Sequence, residues 1–106
     1  MMELYDIYIA YVSWGSEGKR RPILILEANN GNVKAFNITT QYENKSDEIR
    51  VKYFIINDWK QAGLNKPSFI DTNKMILIPL PAIDINNPIG KLSETDETRL
   101  IEFMNQ

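Results

Sequence analysis

The 106-residue chain contains neither cysteine nor histidine. Without cysteine there is no disulfide framework, no thiol nucleophile and no thiolate zinc site. Without histidine the commonest general base and the commonest metal ligand are missing, so any catalysis has to run on Glu, Asp, Arg, Lys, Tyr, Ser or Thr. No apolar run is long enough to span a bilayer. The opening stretch MMELYDIYIAYV carries Glu3 and Asp6 and has no basic leader, which predicts a cytoplasmic protein without anchor, signal peptide or membrane partner. An excess of positive charge is absent too: a net charge of -2 at pH 7 excludes coating of long nucleic acid by a general basic field, because phosphate binding is largely electrostatic.

The residues that are present describe an ordinary globular chain. At 106 residues, with 43% hydrophobic and 25% charged, one domain spanning residues 1–106 is expected, able to bury a core without staples. Charge is placed unevenly. Lys19, Arg20 and Arg21 stand directly in front of Pro22 and an apolar run, cations recur at Lys45, Arg50 and Lys52, and much of the acid gathers at 94–102.

Tyr5, Ile7, Ile9 and Tyr11 alternate with Asp6, Tyr8, Ala10 and Val12, the period of two that marks a strand. Residues 22–27 read as a short buried strand, and 29–32 (Asn-Asn-Gly-Asn) as a tight turn into another strand over 33–38. A polar loop is expected over 41–48, a strand over 49–56, and a single helical turn over 57–63 between Asn57 as cap and Gly63 as stop. Two further strands fit 68–72 and 75–80, with Pro79 and Pro81 pushing the second toward a sheet edge. Ser93 to Asp96 resembles a capping box with Asp in the usual Glu position. Leu100, Ile101, Phe103 and Met104 give the helix that follows an apolar stripe. Short strands closed by one amphipathic helix predict a mainly β fold, a compact antiparallel barrel or half-barrel.

The order Gly15-Ser16-Glu17, Arg21-Pro22, an apolar strand, a hairpin, Thr39-Thr40-Gln41, and then Ile89-Gly90-Lys91-Leu92-Ser93 before the last helix resembles the MazF/PemK family of toxin components of bacterial toxin–antitoxin systems. The resemblance spans nearly the whole chain. One departure is clear: only Gly18-Lys19-Arg20 separates Glu17 from Arg21, where the family pattern has a longer glycine-containing insert. The resemblance implies a Src-homology-3-like (CcdB-like) barrel with a C-terminal helix. It implies a homodimer that cuts single-stranded RNA, mRNA above all, in a sequence-specific manner and without metal. It also implies neutralisation by a cognate acidic antitoxin, with DNA binding only through the antitoxin complex.

Metal-free RNA cleavage begins with attack of the 2′-OH on the adjacent phosphate, and the charge gathering on the nonbridging oxygens has to be held. A guanidinium fixed where a buried strand begins offers planar donors matched to those oxygens. Arg21 is the expected holder. Thr39 is expected to donate a hydroxyl at the same rim, and Glu17 is the carboxylate available to move protons. Lys19, Arg20, Thr40, Gln41 and Trp14 are expected to bind RNA, Trp14 by stacking on a base. Asp71 and Asp84 lack the clustering that a metal site requires, so neither metal nor cofactor is assigned. Two other classes fit the same residues. One is an inactive barrel of the same family that binds peptide or RNA. The other is an unrelated small-barrel peptide reader with Tyr11, Trp14 and Tyr42 as an aromatic groove.

Overall fold

The computed structural model describes residues 2–106. Strands β1 (Asp6–Trp14), β2 (Glu17–Ala28), β3 (Asn32–Thr39), β4 (Tyr53–Ile55), β5 (Phe69–Pro79) and β6 (Gly90–Lys91) form one antiparallel sheet in the order β4-β5-β3-β2-β1-β6. The fold is a curled half-barrel of the expected mainly β class, closed by a C-terminal helix.

The sheet buries both faces, and its alternation assigns each residue to one of them. Ile7, Leu24, Phe36, Ile38, Phe54 and Ile70 face one side, where Leu100 of helix α2 (Glu94–Met104) and Leu64 join them. Tyr8, Ala10, Val12, Ile23, Ile25, Val33 and Ala35 face the other, covered by Ile78 and Ile83. A short polar-apolar alternation would have left one face wet; here the two apolar sets on β1 each have a cover. On α2 the apolar stripe is narrower than its sequence implies. Leu100 is buried and Phe103 half-buried, whereas Ile101 and Met104 are exposed.

Three boundaries differ from expectation for local reasons. The apolar run at 22–27 is the inner half of β2, which begins at Glu17 because Gly15, at φ +58°, turns β1 back on itself. The expected strand over 49–56 shrinks to β4, because Ser46 caps a helical turn, α1 (Asp47–Arg50), by accepting from the Ile49 amide. Hydrogen-bonding Ser side chains favour such N-caps over a continued strand. The two expected strands at 68–72 and 75–80 are one strand, β5, interrupted where its register against β3 jumps from Asn37↔Asp71 to Ala35↔Ile76. That bulge holds α1 in place: Thr72 Oγ1 donates to the Lys52 carbonyl at 2.7 Å and Asn73 Nδ2 to the Ile49 carbonyl at 3.0 Å.

The helical turn at 57–63 abuts β6 through two glycines. A Cβ on Gly63, which has φ +94°, would lie 2.3 Å from the Ile89 carbonyl oxygen, and one on Gly90 would lie 2.3 Å from that of Ala62. Only backbone without a side chain fits there.

Burial also sets a limit at alkaline pH. The hydroxyls of Tyr5, Tyr8 and Tyr53 are all held above the ordinary tyrosine value, first by burial and then by carboxylates: Glu97 at Tyr5, Asp6 and Glu3 at Tyr8, Asp71 at Tyr53. A raised folded-state pKa means that the folded chain keeps protons the unfolded chain loses. The associated stability is complete below the unfolded tyrosine value of about 10 and is lost as pH rises through the folded values. Urea midpoints are therefore expected to fall with each step above about pH 10 on account of these tyrosines; midpoints that hold or rise there would contradict the assignment.

Candidate active site

Arg21 lies on β2 at the point where that strand passes from solvent into the core. Residues 17–20 are exposed or half-buried, Arg21 and Pro22 are half-buried, and Ile23 is fully buried. Arg21 pairs across the sheet with Ala10 of β1, and on the other side Ile23 pairs with Asn37 of β3. Arg21, Ile23, Asn37 and Thr39 thus share one face, the arginine next to the place where β3 leaves the sheet. Arg21 is therefore embedded within a strand rather than standing at its start, its backbone paired with β1, while the ladder to β3 begins two residues later at Ile23.

A cleft of about 210 Å³ opens here, and Lys19, Arg20, Arg21, Thr39, Thr40 and Gln41 all line it. Six of the eight residues expected from the sequence are thus gathered at one rim. Ser68, which the sequence reading passed over, is a further wall; it is buried, and its Oγ donates to the Lys66 carbonyl at 2.8 Å. Thr40 and Gln41 also line an adjoining hollow of about 390 Å³ beside Tyr42 and Asn44. The rim is therefore a continuous groove.

Each side chain has a definite state. Arg21 takes part in none of the ion pairs found among the described residues, so its charge is available to a ligand. The Trp14 ring flanks it, with the guanidinium carbon 5.9 Å from the ring centroid, a cation–π arrangement that steadies the side chain without neutralising it. Thr39 Oγ1 accepts from the Gln41 amide at 3.0 Å; its lone pair is engaged and its hydrogen is left to donate. Gln41 Oε1 in turn accepts from Asn44 Nδ2 at 3.2 Å. Arg20 points to the opposite face and pairs with Asp84 at 3.7 Å, so it contributes field more than contact.

One expected residue stands elsewhere. Glu17 pairs with Trp14 at the tip of the β1–β2 hairpin, four residues up the strand from Arg21, about 13 Å by strand rise. It is exposed and does not line the cleft. The proposed aromatic groove does not form either. Tyr11 and Trp14 project from opposite faces of β1, Tyr11 lying over Gly18, while Tyr42 is stacked on Phe69 at 4.5 Å with Arg50 5.4 Å from its centroid. The peptide-reader reading loses its groove.

The side of the cleft toward β4 holds groups the sequence reading missed. Asn37 pairs with Asp71, and Asp71 with Tyr53, so the three form a lateral row on the face of Arg21. Tyr53 is only 8% exposed. Its hydroxyl pKa is raised by burial and by Asp71, and Arg21 opposes them, so at neutral pH the phenol keeps its proton. The available signal was a polar residue, Asn37, at a core-facing position of an otherwise apolar strand.

An arginine outside any ion pair and a threonine hydroxyl with its hydrogen left to donate, in the rim groove of a small antiparallel half-barrel, are donors of the kind that phosphate oxygens accept from. No protein-family profile matches the chain, and no curated protein matches it in sequence. Solved structures do. The Mycobacterium tuberculosis toxin MazF-mt6 superposes with a TM-score of 0.69 at 26% identity, over 92% of this chain and 90% of that one. A second structure, described as an Mtb toxin, does so with a TM-score of 0.65 at 25% identity, over 94% of this chain and 96% of that one. In fold and along nearly its full length, the chain is similar to toxins of the MazF type.

Proposed function

We propose that the protein is an endoribonuclease toxin that cuts single-stranded RNA, with Arg21 and Thr39 at the scissile phosphate. The observation that carries this reading is the unpaired Arg21 guanidinium beside the Thr39 hydroxyl in the groove of a MazF-type barrel. The ribose 2′-oxygen attacks phosphorus, the P–O5′ bond breaks, and the products are a 2′,3′-cyclic phosphate and a 5′-hydroxyl. The 2′-proton leaves to water or a base, and the 5′-oxygen takes up a proton. Arg21 supplies fixed donors to the nonbridging oxygens as their charge grows, the contribution that preorganised sites make largest. Thr39 adds a second donor whose direction is set by its bond to the Gln41 amide.

Lys19 and the Thr40-Gln41 segment hold the flanking nucleotides, with Asn44 and Tyr42 continuing the track. Trp14 and Glu17 at the hairpin tip meet the strand beyond the cleft. In this reading Glu17, at the exposed hairpin tip, serves RNA binding rather than proton transfer. An acidic antitoxin segment fits the same cationic rim and would compete with RNA there. The half of β5 that runs beyond β4 exposes Met75 and Leu77, the latter 64% exposed, and a second copy of the chain covers them in a homodimer. The protein acts in the cytoplasm, where mRNA is found; no helix of the described residues is long and apolar enough to cross a membrane.

Incubation of the purified protein with mixed-sequence single-stranded RNA in EDTA tests the reaction. Cleavage leaving 2′,3′-cyclic phosphate ends is expected. Ends carrying a plain 3′-hydroxyl would exclude 2′-OH attack, and intact RNA would exclude metal-independent cleavage.

A further inference from the structure

Two polar atoms in the site are shut off from water and lack any hydrogen-bond partner: Arg21 Nε, a donor, and Asn37 Oδ1, an acceptor. Buried polar groups are paired in the great majority of cases, so each unpaired one needs an explanation. These two are complementary. They also belong to adjacent strands and to the same face. Because Asn37 pairs directly with Ile23, it is the diagonal cross-strand neighbour of Arg21, about 7–8 Å away at the backbone and within reach of a long side chain. In the same row Asp71 is drawn toward the β5 bulge by Oδ1, which receives the Asn73 amide and Asn73 Nδ2, both at 2.9 Å, and it lies one strand further from Arg21 than Asn37.

We infer that Asn37 is a positioning residue for Arg21: when a phosphate occupies the groove, Asn37 Oδ1 accepts from Arg21 Nε–H and fixes the plane of the guanidinium. The inference rests on the proposed role of Arg21 at the scissile phosphate. A guanidinium is flat, and one bond at Nε together with the Trp14 ring on its face leaves it a single orientation, with both terminal nitrogens turned to the ligand. A phosphate drawing on the terminal nitrogens pulls Arg21 into register, and the two orphans satisfy each other. Asn37 touches no substrate in this arrangement and acts only through the arginine.

The Arg21 side-chain Nε–H resonance, followed by NMR as inorganic phosphate is added, reads this bond directly. A downfield shift and slowed exchange of that proton are expected in the wild-type protein and in Asn37→Asp, which keeps the acceptor oxygen, and neither change in Asn37→Leu. In RNA cleavage, Asn37→Leu should lower kcat about tenfold or more with KM changed less than about twofold, since misorientation costs rate more than binding. Asn37→Asp should restore most of the rate. An Nε–H resonance that ignores phosphate in the wild-type protein, or responds equally in Asn37→Leu, overturns the inference even if RNA is cut. An Nε–H response without any RNA cleavage overturns the endoribonuclease reading and leaves the Asn37–Arg21 bond standing. If Asn37→Leu does not fold, the wild-type titration alone decides.

Discussion

Arg21→Ala is expected to lower the rate of RNA cleavage by about 10²-fold or more, the usual effect of removing one preorganised donor from a developing oxyanion. The loss should fall on kcat and kcat/KM together, because the interaction strengthens as the phosphate gains charge. Stability should change little: Arg21 is half-buried, forms no ion pair, and sets its guanidinium against the Trp14 ring as its one cation–π contact. Circular dichroism and a melting curve close to wild type, together with the rate loss, would separate catalysis from folding. A variant that cuts RNA at the wild-type rate would remove Arg21 from the mechanism. Arg21→Lys makes a finer comparison, since an ammonium keeps the charge and loses the planar fork; partial activity is expected.

The largest expected effect on stability lies on the far side of the molecule, at Asp96. Its carboxylate is fully buried and accepts from the Asn57 amide at 3.3 Å, the Asp58 amide at 2.8 Å and Arg99 Nη1 at 2.6 Å. Ser93 completes the cluster, accepting from the Asp96 amide at 3.1 Å and donating to Asp58 Oδ2 at 2.6 Å. One carboxylate therefore caps the turn at 57–63 and ties it to α2. Asp96→Ala leaves two backbone N–H groups and part of a guanidinium without partners, which costs about 3 kcal/mol. For a domain of this size that corresponds to a fall in Tm of about 12 °C or more. Asp96→Asn, which retains one acceptor oxygen, should lie between. A fall of less than about 5 °C for Asp96→Ala would mean that the turn and the helix are held together by other contacts.

Much of this architecture was legible in the sequence, because period-two alternation in Tyr5 to Val12 and in 33–38 reports directly on strand faces. The grouping of Arg21 with Thr39, Thr40 and Gln41 was legible as well, since an antiparallel hairpin brings the start of one buried run beside the end of the next. Asp96 was read correctly as part of a helix start, but its carboxylate turns away from its own helix to the amides of 57–58. A capping box is a local pattern, and a partner 38 residues away leaves no local trace. Residues 49–52 misled for a related reason. Ile49 and Val51 are β-branched, yet Ser46, Asp47 and Arg50 assemble a helical turn around them, with Arg50 bonded to Asp47. The Tyr53–Asp71–Asn37 row was invisible because it depends on register across three strands, and the bulge in β5 shifts that register by residues that no periodicity announces.

The Thr39 hydroxyl is oriented by the amide of Gln41, two residues downstream, and by nothing further along the loop. Arg21 is likewise anchored in the sheet, opposite Ala10 of β1 and two residues before the β2–β3 ladder begins at Ile23. The proposed pair at the phosphate is thus in place by residue 41, before segment 42–46 begins, and the hairpin tip at 15–16 lies outside it. These two segments form an interchangeable margin around a fixed centre. On the proposed function, exchanging them for segments of other composition is expected to redirect which nucleotides are admitted while Arg21 and Thr39 keep their places.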